Sequence, residues 1–141
     1  MKKYKIGYTQ GTFDLFHIGH LNILKKSKEL CDYLIVGVNS DDLVRDYKNK
    51  NAIISEKDRL EIIKSIKYVD DAFLVNTLDK KEILKNHEFN VILIGDDWKR
   101  SKRWQETKKE FHKLHIDVIF LPYTQGISSS IIRKELNNEK N

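Results

Sequence analysis

Short runs of uninterrupted apolar side chains recur along this chain. Between them lie longer stretches whose apolar residues stand three and four apart. The runs are Tyr4-Lys5-Ile6-Gly7-Tyr8, Tyr33-Leu34-Ile35-Val36-Gly37-Val38, Ala72-Phe73-Leu74-Val75, Val91-Ile92-Leu93-Ile94 and Val118-Ile119-Phe120-Leu121. A strand apolar at nearly every position needs cover on both faces, which is the pattern of parallel strands between helices. Leu21, Leu24, Lys28 and Cys31 predict a helix over about residues 18–31. Ser55 caps a helix whose inner face is Leu60, Ile63 and Ile66, and Asp79 with Glu82 resembles a capping box ahead of Ile83 and Leu84. Trp104, Lys108, Phe111 and His115 share a helical stripe, and Ser128 or Ser129 caps a last helix carrying Ile131, Ile132 and Leu136. Strands alternating with helices predict an α/β chain: a five-stranded parallel sheet with helices on both faces.

Ligands of such doubly wound, Rossmann-like sheets sit beyond the carboxyl ends of the strands, where the strand order reverses. The polar oddities of the sequence fall there. Gln10 to His20 follows the first strand, Gly95-Asp96-Asp97-Trp98 the fourth, and Tyr123 to Ser130 the fifth. The 141 residues hold one proline, Pro122, and 6 glycines, with no repeat or linker, so a single domain over 1–141 is expected. The polar stretches Arg45–Asn51 and Lys99–Arg103 read as loops within it. No apolar window reaches the ~18–20 residues of a membrane span, and Met1-Lys2-Lys3-Tyr4 runs straight into strand pattern. Neither a membrane nor a leader segment is expected. The lone Cys31 excludes an internal disulfide framework and a cysteine-rich zinc site, so the cytoplasm is the expected compartment. A net charge of +5 points to an anionic partner, for which nucleic acid, a nucleotide and a sugar phosphate all qualify.

The first loop narrows the choice. In Gly11-Thr12-Phe13-Asp14-Leu15-Phe16-His17-Ile18-Gly19-His20, two imidazoles three residues apart bracket a glycine at a helix start. Both rings face one side of the first turn. Free N–H groups and the positive end of the helix favour an anion there, and two imidazole donors suit a phosphate whose charge grows during reaction. Gly19 leaves room for a ligand near the backbone. Asp14 is expected to position a histidine or a metal-bound phosphate. A zinc pair is disfavoured, because no third ligand is evident and the spacing is not i, i+4.

This loop resembles the HxGH signature of the nucleotidylyltransferase superfamily. Asp32-Tyr33-Leu34, Tyr68-Val69-Asp70, Gly95-Asp96-Asp97-Trp98 and Gly126-Ile127-Ser128-Ser129 follow in the family's order. Its nearest likeness within the superfamily is to cytidylyltransferases acting on polyol phosphates, glycerol 3-phosphate foremost. The resemblance implies attack by an acceptor phosphate on the α-phosphate of CTP, with pyrophosphate leaving. It implies a divalent cation, Mg²⁺, bridging triphosphate oxygens, and a homodimer. His17, His20, Lys48 and Arg59 are the implied catalytic residues. The implied nucleotide site takes Gly11, Thr12, Phe13, Asp14, His17, Ile18, Gly19, His20, Lys50 and Asp97, together with Tyr123, Thr124, Gln125, Gly126, Ile127, Ser128, Ser129 and Ser130. Lys48, Lys67, Asp70, Lys81 and Trp98 are the implied acceptor residues.

The chain departs from the family in the fifth loop. Tyr123 and Gln125 stand where the family carries Arg and Glu, which reads as a lost ion pair rather than a lost activity. The stretch from Lys99 to His115 is longer than in the nearest relatives, and its basic residues could reach a larger or more anionic acceptor. The in-class alternatives are another alditol or sugar phosphate as acceptor, or ATP as donor. A nucleic-acid-binding domain is disfavoured, since no RNP-like or KH-like motif is present and paired histidines add nothing to a backbone grip. A nicotinamide-type redox domain is disfavoured because no G-x-G-x-x-G follows the first strand.

Overall fold

The computed structural model describes residues 2–122 and 124–139. Its five strands are β1 (Tyr4–Gly11), β2 (Cys31–Asn39), β3 (Asp71–Val75), β4 (Val91–Gly95) and β5 (Asp117–Leu121). Its helices are α1 (Ile18–Leu30), α2 (Asp41–Lys48), α3 (Glu56–Lys64), α4 (Lys80–Leu84), α5 (Lys102–His112) and α6 (Ser129–Glu139). All strand pairs are parallel, in the order β3-β2-β1-β4-β5. The expected α/β, Rossmann-like, five-stranded sheet is therefore present.

Each face of the sheet has its own apolar layer. One holds Tyr8, Ile35, Phe89 and Ile92 with Ile83 of α4 and Trp104 and Phe111 of α5. The other holds Leu34, Val36, Val91 and Leu93 with Leu24 of α1 and Ile63 of α3. Cover on both faces is why the strands read as continuous apolar runs.

The chain winds outward from β1 through β2 to β3, then returns to place β4 on the other side of β1. Strands β1 and β4 barely pair: Gly7 with Val91 and Tyr8 with Ile92. By contrast, β1 stays paired with β2 as far as Gly11 and Val38. Beyond Tyr8, therefore, Thr9–Gly11 and Leu93–Gly95 part, and a fork opens at the reversal of strand order.

Two expected loops are partly helical. Arg45–Lys48 forms the last turn of α2, which Ser40 caps by accepting from Leu43 N, and Asn49 ends it at φ 56°. Lys102 and Arg103 open α5, and Asp96–Trp98 forms a short 3₁₀ turn. Cys31 begins β2 rather than ending α1, and His115 lies beyond α5, in the left-handed region at φ 61°. Ser128 caps α6 by accepting from Ile131 N at 3.1 Å.

Candidate active site

The β1–α1 loop is held in a costly shape. Phe13 (φ 56°) and Leu15 (φ 50°) both adopt left-handed backbone, on the order of 1 kcal/mol or more each for non-glycine residues. Asp14 between them supplies the compensation. Only 2% exposed, its carboxylate accepts from Ile53 N (2.8 Å) and Ile54 N (2.9 Å) and pairs with Arg133 of α6. Burial pushes this carboxyl up, but the two amides and the guanidinium outweigh it and hold it below the usual carboxylate range. Ser129 Oγ donates to the Asp14 carbonyl as well. Asp14 thus ties the loop to the approach to α3 and to α6. It lines the larger cavity described below, but its oxygens are engaged with protein donors.

The two histidines cap α1 reciprocally. His17 Nδ1 accepts from Gly19 N at 3.0 Å, and His20 Nδ1 accepts from His17 N at 3.2 Å. A ring nitrogen that accepts from an amide carries no proton, so each neutral ring bears its proton on Nε2. The rings stack with centroids 3.9 Å apart. Burial, then the neighbouring His17, pulls His20 down to about pKa 3, with Lys48 adding to the effect and Asp14 opposing it. Burial also lowers His17. The pair is therefore neutral near pH 7 and offers two Nε2–H donors with their acceptor sides occupied. Gly19 is tightly packed: a Cβ there would stand 2.8 Å from His17 Cε1 and 3.0 Å from His17 Nδ1, so the ring would have to shift.

Two adjoining cavities open from this point. The first, about 330 Å³, occupies the fork between β1 and β4. It brings together Gly11, Thr12, Phe13, His17, Gly19, His20, Lys48, Asp97 and Trp98 with Thr124, Ile127, Ser128 and Ser129 from the fifth loop. Burial and the neighbouring Asp96 raise the Asp97 carboxyl, against a hydrogen bond from its own backbone. The second cavity, about 530 Å³, shares Gly11, Thr12, Phe13, His20, Lys48, Trp98 and Ser129. It adds Asp14, Lys50, Ser130 and Arg133, and it reaches Lys80, Arg103 and Trp104. Lys48 borders both cavities, whereas Lys50 faces only the larger, so the lysine expected at the nucleotide lies on the other side.

Several expected site residues stand elsewhere. Arg59 does not reach either cavity; it is fully buried. Its Nε donates to Ile54 O (2.9 Å), its Nη1 to Thr12 O (2.8 Å) and Asn39 O (2.7 Å), and its Nη2 to Asp41 Oδ1 (2.6 Å). Fully buried and holding four protein acceptors, it is a positioning residue for the Thr12 loop, not a catalytic one. Lys67 and Asp70 precede β3 and so lie at the amino edge of the sheet, opposite the site. Lys67 sits over the Tyr68 ring, while Asp70 pairs with Lys28 (2.6 Å) and accepts from Leu34 N (2.8 Å). Lys81 points outward to Glu110 at 2.8 Å, and its neighbour Lys80 lines the cavity instead. Ile18 is 54% exposed and lies off both cavities, as do Gln125 and Gly126 at the loop tip, the latter at φ 80°. Tyr123 lies outside the described residues.

Sequence reading missed a polar network in the wall of the cavities. Tyr8 Oη donates to Gln10 Oε1 (2.6 Å), and Gln10 Nε2 donates to Asn39 Oδ1 (2.9 Å) and Thr77 O (3.0 Å). Asn39 Nδ2 donates to Thr12 Oγ1 (3.2 Å), which shares a 2.8 Å hydrogen bond with Tyr47 Oη. Gln10 and Asn39, polar ends of otherwise apolar strands, were its visible signal.

A neutral histidine pair at a helix mouth, basic side chains and hydroxyls converging on a strand fork define a phosphate-handling, nucleotide-transfer type of site. The comparisons with known proteins agree. Residues 8–135 match the family model described as cytidylyltransferase-like, and the chain belongs to that family of nucleotidyltransferases. It is 38% identical to glycerol-3-phosphate cytidylyltransferase of Bacillus subtilis, over 91% of this chain and 94% of that one. It is 33% identical to the enzyme of the same name from Staphylococcus aureus, over 91% and 92%. A solved structure described as a lipopolysaccharide core biosynthesis protein from Thermoplasma volcanium superposes with a TM-score of 0.71 at 30% identity, covering 86% of this chain and 97% of that one.

Proposed function

We propose that this protein transfers CMP from CTP to a polyol phosphate, glycerol 3-phosphate first, giving a CDP-polyol and pyrophosphate. The observation that carries the reading is the reciprocally capped His17–His20 pair at the β1–β4 fork, in a chain similar to glycerol-3-phosphate cytidylyltransferases over most of its length. An oxygen of the acceptor phosphate forms a bond to the α-phosphorus as the bond from that phosphorus to the pyrophosphate oxygen breaks. Such a reaction needs alignment and charge neutralisation more than covalent help. The Nε2–H groups of His17 and His20 donate to triphosphate oxygens. Because both Nδ1 atoms are occupied, neither ring has to change tautomer or shed a proton first. Ser128 and Ser129, at the start of α6, line the same pocket. Lys48, on the border of both cavities, stands between the triphosphate and the acceptor phosphate.

Mg²⁺ bound to the triphosphate would neutralise the leaving pyrophosphate. Among the described residues there is no cluster of three carboxylate, histidine or cysteine ligands. The donor set therefore suits a cation carried in by CTP, with Asp97 the carboxylate facing that pocket. No helix among the described residues is long and apolar enough to cross a membrane. A cytoplasmic site of action and a homodimer complete the proposal; sedimentation of the purified chain tests the latter. The activity is tested by pyrophosphate release with CTP, ATP, UTP and GTP against glycerol 3-phosphate. CTP-selective release with CDP-glycerol as product supports the reading, and no release with CTP refutes it.

A further inference from the structure

We propose that the outer edge of β5 and the adjoining face of α5 form a docking groove for an acidic, extended segment of a partner protein, added to the sheet as a further strand. The groove begins at the starts of β1 and β5, the amino edge of the sheet, and shares no lining residue with either active-site cavity.

The charge of this chain is concentrated in one place. Of its 26 Lys and Arg and 21 Asp and Glu, residues 99–115 hold 7 and 2, which leaves 19 of each sign elsewhere. The whole net charge of +5 therefore sits on α5 and its two flanks. Helix phase then sorts the side chains. Trp104 and Phe111 turn into the core. Gln105, Lys108, Lys109 and His112, spaced i, i+3, i+4 and i+7, line a groove of about 790 Å³, and Lys113 follows on the same side. The two acids of α5 lie off that face, Glu110 being paired with Lys81. Lys3 adds a cation on the opposite wall. The one lining carboxylate, Asp117, accepts from Tyr4 Oη at 2.5 Å. Among the described residues none of the groove's four lysines is in a salt bridge.

The floor of the groove is a sheet edge. Strand β5 ends the sheet order, and among the described residues no strand pairs with its outer side. Asp117 N donates to Asn90 O on the β4 side, so strand alternation directs the amide and carbonyl of Val118, which lines the groove, the other way. Ile116, Val118 and Ile119 supply an apolar base beside it. An edge of this kind accepts an added strand through main-chain hydrogen bonds. Lysines along it discourage pairing with a basic or neutral strand and favour an acidic one. Other polyanions fit the groove less well. A single-stranded nucleic acid needs rings on which its bases stack. Among the described lining residues the only Phe, Tyr or Trp is Tyr4, whose Oη is tied to Asp117 and whose ring has Lys3 Nζ 5.4 Å from its centre. A helix that lies on a bilayer inserts an apolar face, whereas Trp104 and Phe111 of α5 are already buried in the core.

The probe is a short fluorescein-labelled peptide alternating glutamate with valine, titrated with the full chain and read by fluorescence anisotropy. The double variant Lys109→Gln/Lys113→Gln, at two exposed positions outside both active-site cavities, should bind it about tenfold more weakly, the worth of two exposed ion pairs. Its urea midpoint should stay that of the wild type. Two N-methylated versions of the peptide, one methylated at the valines and one at the glutamates, keep the charge and each remove the amide hydrogens of one edge. One of the two should bind the wild type about tenfold more weakly than the other, since a strand pairs through a single edge. No binding of the parent peptide, equal binding to wild type and double variant, or equal binding of the two methylated peptides would each overturn the proposal. A labelled single-stranded oligonucleotide, or vesicles of phosphatidylglycerol and phosphatidylcholine, bound more tightly than the peptide and weakened by the same double substitution would overturn it in favour of that partner. The binding is read without CTP, so its outcome is independent of the transfer reading.

Discussion

Gly19→Ala separates two accounts of the histidine loop by the sign of its effect. In an ordinary helix the substitution stabilises by about 0.5–1 kcal/mol, because alanine loses less backbone freedom on folding. Here the added Cβ stands 2.8 Å from His17 Cε1, where ordinary contact begins at 3.4 Å, so ring and backbone must part by about 0.6 Å. The ring cannot turn aside freely, because its Nδ1 is bound to Gly19 N itself and its face lies on His20. Overpacking of this kind costs roughly 1–3 kcal/mol, which exceeds the helix gain. The displaced Nε2–H also misaligns at the α-phosphate, and a misplacement near 1 Å costs up to about 10²-fold in turnover. Gly19→Ala is therefore expected to lower the urea midpoint and reduce kcat between tenfold and a hundredfold, with KM for glycerol 3-phosphate little changed. A more stable protein of unchanged kcat would refute the packing of His17 on Gly19, and with it the reciprocal cap.

Three other outcomes follow from the same geometry. His17→Ala and His20→Ala should each lower kcat by about 10²–10³-fold, the usual cost of one transition-state donor, while circular dichroism stays native. Arg59→Met should lower stability by about 3 kcal/mol or more in urea melts, because it strands three carbonyls at roughly 1–3 kcal/mol each; an active, fully stable variant would contradict its assignment as a structural tie. His20 binds a proton more readily unfolded (near pKa 6.5) than folded (about 3), so its contribution is complete above about pH 6.5 and is lost as pH falls from there towards 3. That amounts to about 2 kcal/mol between pH 7 and pH 5, and His20→Asn should flatten this slope in paired urea titrations.

The sheet was legible because parallel strands covered on both faces leave an unmistakable apolar run, and the HxGH loop because its chemistry is local. Missing α2 had a physical reason. Only Leu43 and Val44 of Asp41–Lys48 are buried, so the apolar period is short, although Ser40, two acidic residues and Lys48 marked its ends. Arg59 and Lys80 are both turned inward for one shared reason. Arg59 lies four residues before the buried Ile63, and Lys80 three before the buried Ile83, so helix phase turns both inward. A charged side chain on the inner face is either a structural tie or a ligand holder, and only the partners tell which. Arg59 has four donor contacts to protein, while Lys80 lines the larger cavity with its Nζ over the Trp104 ring. Lys67 and Asp70 lie just before a parallel strand, which fixes them at the edge away from the ligand whatever family motif they match.

The central claim is that two neutral imidazoles, each with its proton on Nε2, meet the triphosphate. Two-bond ¹H–¹⁵N correlation spectra of ¹⁵N-histidine-labelled protein at pH 7, without and with CTP, test it directly. The account predicts that His17 and His20 show unprotonated Nδ1 and protonated Nε2 in the free protein, and that CTP shifts both Nε2 signals. A proton on Nδ1 of either ring, or Nε2 signals that CTP leaves unmoved, would contradict it.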